Sequence, residues 1–362
     1  MRILFVSWYL LSVLLFLEVS LQGFYYVTAG QLLSLRVALP LYVANSSSGF
    51  FNKPHLAIDH NTNEFRSYYY TNSAGFRVPR ADLEYELEKP AGMNRVLLLG
   101  PSFAFGWGVN YEDSFAAKLQ DLLGMQIINT GVPALETYPQ FLWYENVGGQ
   151  YHADLVLQII YGSMAVDRSS SAYTVNDAGY LLPNDLTNRQ RIIAVAKKSA
   201  LVFYAWTLYS KVFPAPTATI DGAGRRLTIA HTFSTDDPNV KEALRYYDEL
   251  RSTVRESGAT PVIIYAPLSY VIHQNDMARW RHLGVTDVDE QLEFDREFCR
   301  YLTSHDLLCI NLTPPLIDAA ATDPERLYYW LDIHWTKRGN MVAALAVAEA
   351  LTQHGLTAAG AS

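Results

Sequence analysis

The stretch Arg95-Val-Leu-Leu-Leu-Gly-Pro-Ser-Phe-Ala-Phe-Gly-Trp-Gly-Val109 limits the choice of fold more than any other. Val96 to Leu99 are all apolar, with no polar alternation. Such a run reads as a strand buried on both faces, as in a parallel sheet covered by helices. It stops at Gly100-Pro101-Ser102, and a loop with Gly106 and Gly108 follows. A strand that ends on a small residue and then presents a serine carries that hydroxyl to the carboxyl edge of the sheet. Open α/β folds bind their ligands at that edge. The serine becomes a nucleophile only with a base, and with an acid that orients the base.

Both are available near the other end of the chain. Trp330-Leu-Asp-Ile-His-Trp-Thr-Lys-Arg-Gly339 contains Asp332 and His334. In an extended segment residues i and i+2 point the same way. The Asp332 carboxylate therefore reaches the imidazole of His334 and sets its tautomer. The second ring nitrogen is left for Ser102, which is the logic of a Ser-His-Asp triad.

These blocks resemble those of the SGNH/GDSL hydrolases, in particular a membrane-anchored, extracytoplasmic bacterial branch. Gly100-Pro101-Ser102-Phe103 stands where that family has Gly-Asp-Ser-Phe. Asp332-Ile-His334-Trp335, with Gly339 after it, is similar to the C-terminal Asp-x-His-Trp block. Asn129-Thr-Gly131-Val-Pro133 is similar to the second block, whose glycine N–H helps to form the oxyanion hole. The resemblance runs over roughly residues 60 to 355. It implies a flavodoxin-like, three-layer α/β/α fold with about five parallel strands. It also implies Ser102, His334 and Asp332 as catalytic residues, with oxyanion donors from Ser102 and Gly131. Two positions depart from the pattern. Pro101 replaces the acid of the first block but leaves the Ser102 N–H in place. By register, Ser163 of Gly162-Ser163-Met164 replaces the asparagine of the third block. Its hydroxyl can still donate to the oxyanion, over a shorter reach; losing one such donor slows acyl transfer about 10²–10³-fold.

The core reads as alternating strands and helices: strand 95–100, helix 112–123, strand 126–130, helix 135–149 and strand 154–161. After an interruption come helix 238–257, strand 261–266, helix 288–304, strand 307–311 and helix 338–353. Such βαβ alternation predicts a parallel sheet with right-handed crossovers. Residues 165–237 are too long for a connection and read as a cap-like insertion. It holds a hairpin over 173–182, a long helix over 189–212 and a further strand over 225–233. The helix is expected to pack on the sheet, with a membrane-surface role or a cap over the active site as the alternatives. Tyr68 to Arg77, with Asn72-Ser-Ala-Gly75, reads as a turn on an aromatic-rich hairpin. A substrate contact by Arg77 is its alternative role. His273, on the carboxyl edge after strand 261–266, reads as a surface histidine, with substrate contact as its alternative. His231 and His282 carry no assigned role.

Residues 1–29 decide the compartment. Arg2 precedes an uncharged run from Ile3 to Leu17, Glu18 interrupts it, and a weaker apolar stretch follows to Ala29. Across Glu18 the segment reaches spanning length, and no small-x-small cleavage site follows Leu17 directly. The expectation is an uncleaved signal anchor, single-pass in the bacterial inner membrane, with the bulk of the chain in the periplasm or another extracytoplasmic space. Residues 30–60 then read as a juxtamembrane linker. Residues 61–94 read as an N-terminal extension packed on the core domain, 95–355, and 356–362 as a disordered tail. Cys299 and Cys309 either pair in an oxidising compartment or remain two separate buried thiols. Their spacing is not a metal signature.

The chain has 362 residues, half of them apolar, and a formal charge of −8. That balance and the lack of a basic run exclude a nucleic-acid partner. No dinucleotide, Walker or metalloprotease motif is present, and the triad chemistry calls for no cofactor and no metal. The functional expectation is a serine esterase or O-acyltransferase acting on an acylated, most simply O-acetylated, cell-envelope glycan or lipid. The alternative is a catalytically inactive module of the same fold, serving a membrane complex through a membrane-protein partner.

Overall fold

The computed structural model describes residues 2–30, 32–35, 38–162, 173–184, 188–212, 233–277 and 287–357. After an apolar helix, Arg2–Ala29, the chain forms a hairpin of β1 (Tyr42–Asn45) and β2 (Gly49–Asn52). It continues with β3 (Ala57–Asn61), β4 (Arg66–Thr71) and the short β5 (Arg77–Val78). The core strands β6 (Arg95–Leu99), β7 (Gln126–Asn129) and β8 (Leu155–Tyr161) come next. A second hairpin, β9 (Tyr173–Val175) and β10 (Leu181–Pro183), precedes β11 (Thr260–Ala266) and β12 (Leu308–Asn311).

One sheet of eight strands runs in the order β12-β11-β8-β6-β7-β5-β4-β3. Its first five strands are parallel. Numbered among themselves they lie in the order 2-1-3-4-5, that of flavodoxin-like doubly wound sheets. Each core strand is buried on both faces, so its side chains divide between two cores. Leu97, Leu99, Val156 and Ile263 face the helices Thr137–Asn146, Pro238–Glu256 and Val288–Ser304. Val96, Leu98, Leu157 and Val262 face the helices Phe115–Leu123, Thr313–Thr322 and Lys337–Gln353. The result is the three-layer α/β/α sandwich that the continuous apolar strands predict. β6 lies between β7 and β8, at the point where the strand order reverses. Ser102 therefore emerges at the crevice that such a reversal opens on the carboxyl edge.

Several details differ from the sequence reading. Residues 30–60 are not an open linker: they contain β1, β2 and most of β3, with Phe50 and Phe51 buried in the first core. Neighbouring residues such as Phe50 and Phe51 both find cover, so no clean two-residue period is left to read. The extension adds three antiparallel strands to the sheet through a single pairing, Arg77 with Asn129. Residues 189–212 form two helices, Asn188–Ala196 and Ala200–Val212. The break falls at Ser199, whose hydroxyl accepts the Val202 N–H as a helix cap does. The second of these helices does not pack on the sheet. Its buried face, with Ala200, Phe203 and Tyr204, packs on Tyr25 and Ala29 of the N-terminal helix and on Leu33. Cys299 and Cys309 form a disulfide between the helix Val288–Ser304 and β12. The strand expected over 225–233, apart from Phe233, lies outside the described residues, as do Ser163, His231, His282 and the tail from residue 358.

Candidate active site

Ser102 is the first residue of a one-turn helix, Ser102–Phe105, that follows β6 directly. Gly100 makes the connection with φ at +152°, and a Cβ there would lie 2.6 Å from that of Ala104. Pro101 occupies the position just before the helix and its carbonyl accepts the Phe105 N–H. The missing proline N–H therefore costs no helical bond. The Ser102 side chain is largely buried, and its Oγ lies 2.5 Å from His334 Nε2. His334 Nδ1 is hydrogen-bonded to Asp332 Oδ1, which also accepts the His334 backbone N–H at 3.0 Å. Three residues from opposite ends of the chain thus form one hydrogen-bonded line. Burial pushes the Asp332 carboxyl up, but the adjacent His334 ring and its two hydrogen bonds outweigh that and hold it at about 2. The aspartate is ionised at neutral pH, as an orienting acid must be. Phe103 and Trp107 flank the His334 ring, with centroids 5.2 and 5.8 Å away.

The oxyanion side is arranged differently from expectation. Gly131 does approach the serine helix: a Cβ on it would sit 2.4 Å from the Phe105 nitrogen. Its N–H, however, donates to Asn129 Oδ1 at 3.0 Å, while Asn129 Nδ2 donates to the Ala104 carbonyl at 2.7 Å. The buried Asn129 amide thus ties the second block to the serine helix and engages the donor assigned to the oxyanion. The Ser102 N–H donates to no described group. Ser163, the third expected donor, lies outside the described residues.

The loop that carries Asp332 is held by a residue the sequence did not single out. Glu64, in the turn between β3 and β4, accepts the backbone N–H groups of Trp330, Leu331 and Asp332 at 2.7–2.8 Å through its two carboxylate oxygens. Burial raises its pKa, and the three N–H groups oppose that. Glu64 was not detectable in advance, because an acid in a short polar turn normally faces water. Trp107 likewise lines a cavity of about 550 Å³ with Leu41, Ile58, Asp59, His60 and Leu181. Of these, Asp59 and His60 fall in the stretch read as a linker.

The two minor candidates fall outside the site. Arg77 is fully buried beneath the Tyr69 ring at 4.7 Å, and donates to the Tyr68 carbonyl at 2.9 Å. It braces the hairpin and reaches no cleft. His273 is half-buried, and its Nε2 accepts the Leu327 N–H at 3.3 Å. Burial and the nearby Arg326 lower its pKa, so it stays a neutral acceptor in the wall of the domain. Among the described residues no cluster of side chains is suited to a metal ion.

Residues 228–362 match the family described as the SGNH hydrolase-like domain of the acetyltransferase AlgX. That segment includes Asp332 and His334 and begins well after Ser102. No curated protein matches the chain. Among solved structures it is similar to a member of the lipolytic G-D-S-L family from Veillonella parvula DSM 2008, at 14% identity over 72% of this chain and 98% of that one, TM-score 0.38. It is also similar to a lipase/acylhydrolase from Enterococcus faecalis, at 11% identity over 72% and 97%, TM-score 0.37. A third is LAE5, an α/β hydrolase from the metagenome of Lake Arreo, at 14% identity over 75% and 99%, TM-score 0.40. The doubly wound sheet and the match over residues 228–362 make the chain similar to SGNH hydrolase-like proteins.

Proposed function

We propose that this protein is a membrane-anchored serine esterase or O-acyltransferase acting on an acylated cell-envelope glycan or lipid. The observation that carries the reading is the continuous Ser102–His334–Asp332 line at the carboxyl edge of the sheet. Ser102 Oγ attacks the acyl carbonyl carbon as its proton passes to His334 Nε2. The tetrahedral intermediate collapses, the carbon–oxygen bond to the leaving alcohol breaks, and that alcohol takes the proton from Nε2. The resulting acyl-serine is then attacked by water or by a sugar hydroxyl, which gives its own proton to Nε2; the bond from the acyl carbon to Ser102 Oγ breaks and Oγ takes that proton back. Water gives hydrolysis and a sugar hydroxyl gives transfer. Asp332 holds the ring in the reactive tautomer and stabilises the imidazolium. The Ser102 N–H stabilises the oxyanion, with Ser163 and a released Gly131 N–H as further donors. The cavity beside Trp107 offers an aromatic wall with Asp59 and Asn61 at its lining, chemistry suited to a sugar.

The N-terminal helix supports a membrane location. Phe5–Ala29 is long and apolar enough to cross a membrane, and its side chains from Phe5 to Phe16 are exposed. We read it as a single-pass anchor of a bacterial inner membrane with the domain outside, where a disulfide such as Cys299–Cys309 persists.

A second reading, an inactive module that binds within a membrane complex, draws support from the Gly131 N–H being engaged by Asn129. Labelling of the purified protein with a fluorophosphonate separates the two. The enzyme reading expects a covalent adduct on Ser102 that is absent from Ser102→Ala and His334→Ala. Folded wild-type protein that takes no label would establish the binding module instead.

A further inference from the structure

We infer that the helix Ala200–Val212 is a membrane-surface foot: it lies in the outer boundary of the bilayer beside the N-terminal helix and anchors the insertion to lipid. This rests on reading Arg2–Ala29 as membrane-spanning and is independent of the triad.

The two helices are joined by a built contact. Glu18, the one acidic residue of the apolar N-terminal helix, accepts the Ser199 hydroxyl at 2.7 Å and the N–H groups of Ala200 and Leu201 at 2.9 Å. Gln22 donates to the same carboxylate at 2.8 Å and to the Lys198 carbonyl at 3.1 Å. Glu18 thus caps the second helix, complementing its N-terminal dipole. Tyr25 then meets Phe203 edge-on at 6.2 Å, and Phe24 meets Tyr204 at 6.1 Å.

Depth follows from length. The run from Ile3 to Leu17 rises about 22 Å at 1.5 Å per residue, short of the about 30 Å of a hydrocarbon core. With Arg2 at the near surface, Glu18 lies about 8 Å short of the far one. A carboxylate there is costly unless its oxygens are satisfied, and here both are. The start of the second helix is held at that depth with it.

The outward face of this helix suits the position. Ala200, Phe203 and Tyr204 turn toward the N-terminal helix, while Val202, Trp206 and Tyr209, at i, i+4 and i+7, are exposed together. Trp206 and Tyr209 are each 50% exposed, and Leu208 beside them 65%. In water such a face is an unexplained apolar patch. At the headgroup level Trp and Tyr are the preferred residues. The helix is too short to span, and it runs beside the N-terminal helix from Glu18 to Tyr25. Lys197 sits 5.3 Å from the centre of the Trp206 ring, a cation beside the aromatic face of the kind that interfacial helices use. Phe24, Tyr26 and Val27 of the N-terminal helix are exposed as well, and Phe24 touches Tyr204 of this helix.

The test uses the full chain reconstituted in phosphatidylglycerol/phosphatidylethanolamine nanodiscs. The fluorophore NBD is placed singly at Leu11→Cys, Trp206→Cys, Tyr209→Cys and Leu345→Cys; the native cysteines are paired and take no label. We expect NBD at 206 and 209 to shift to the blue and to be quenched by lipids spin-labelled near the headgroup, and NBD at 345 to remain water-like. Water-like, unquenched emission at 206 and 209 with a lipid-buried 11 would overturn the foot alone. A water-like 11 would overturn the anchor beneath it. Blue emission at 206 without lipid quenching, accompanied by crosslinking between chains, would overturn the foot too and assign the face to a second copy.

Discussion

Two glutamates do the same physical work at opposite ends of this molecule. Glu64 gathers three successive N–H groups of the loop that carries Asp332. Glu18 gathers the first two N–H groups of the helix Ala200–Val212 and the hydroxyl before them. Each ties segments far apart in sequence by offering a carboxylate to donors that their own segment leaves unpaired. The difference lies in what the held segment carries. Behind Glu64 stands a second carboxylate, Asp332, and the cost of burying two like charges side by side is offset by hydrogen bonds to both Glu64 oxygens and to Asp332 Oδ1. Behind Glu18 stands only an apolar helix, and the clamp fixes position without touching chemistry. A backbone clamp by a carboxylate is therefore a device for placement, and function depends on what is placed.

The largest break in this comparison comes at the acid that Glu64 positions. Asp332→Asn should lower kcat for ester hydrolysis about 10⁴-fold with little change in KM, because the wrong His334 tautomer then faces Ser102. The same variant tests the electrostatics. Against the upward push of burial, the His334 ring holds Asp332 at about 2, compared with 3.8 for an ordinary aspartate. Its folded pKa is the lower one, so the stabilisation is complete above pH 3.8 and is lost as the pH falls toward 2. That loss amounts to about 2–3 kcal/mol. Denaturant titrations near pH 5 and near pH 2 should show it in the wild type and not in the variant. Equal losses in both would mean the pair contributes no acid-sensitive stability.

Glu64→Gln comes next. It keeps the shape but turns an amide donor toward N–H donors, so the loop loses acceptors and moves. We expect about tenfold lower kcat, nearly constant KM and about 1–3 kcal/mol less stability. Loss of stability with kcat intact would reduce Glu64 to a purely structural brace. Glu18→Ala should be the mildest. The helix Ala200–Val212 loses a cap contributing about 1 kcal/mol, and amide exchange at Ala200 and Leu201 should quicken about fivefold. Turnover of a small soluble ester should stay as in the wild type. A fall in that turnover would show that the two clamps are coupled through the insertion.

Much of this was legible in the residues themselves, and the pattern of success is informative. The five parallel strands were readable because each is an unbroken apolar run, and a strand covered on both faces permits nothing else. Ser102, His334 and Asp332 were readable because the chemistry demands those residue types and because Asp332 and His334 are two residues apart, within reach of local geometry. Residues 42–61 were not readable as strands: Phe50 and Phe51 are both buried, so the expected alternation never appears. The break at Ser199 had a local signal, a serine before an apolar run, that the longer helical pattern obscured. The engagement of the Gly131 N–H by Asn129 had none, because both residues belong to a block whose usual role pointed elsewhere.

By itself, then, the order of amino acids determined the class of fold, the strand count of its core, the three residues of the hydrogen-bonded line and an apolar segment fit to cross a membrane. All of these depend on composition within a few residues of chain. Tertiary structure alone decided which N–H groups remain open near Ser102, that Glu64 holds the acid loop from 268 positions away, and that the helix Ala200–Val212 rests on the N-terminal helix. These contacts join residues whose separation along the chain carries no period and no spacing rule, and only the folded packing of the sheet and its helices brings them within hydrogen-bond reach.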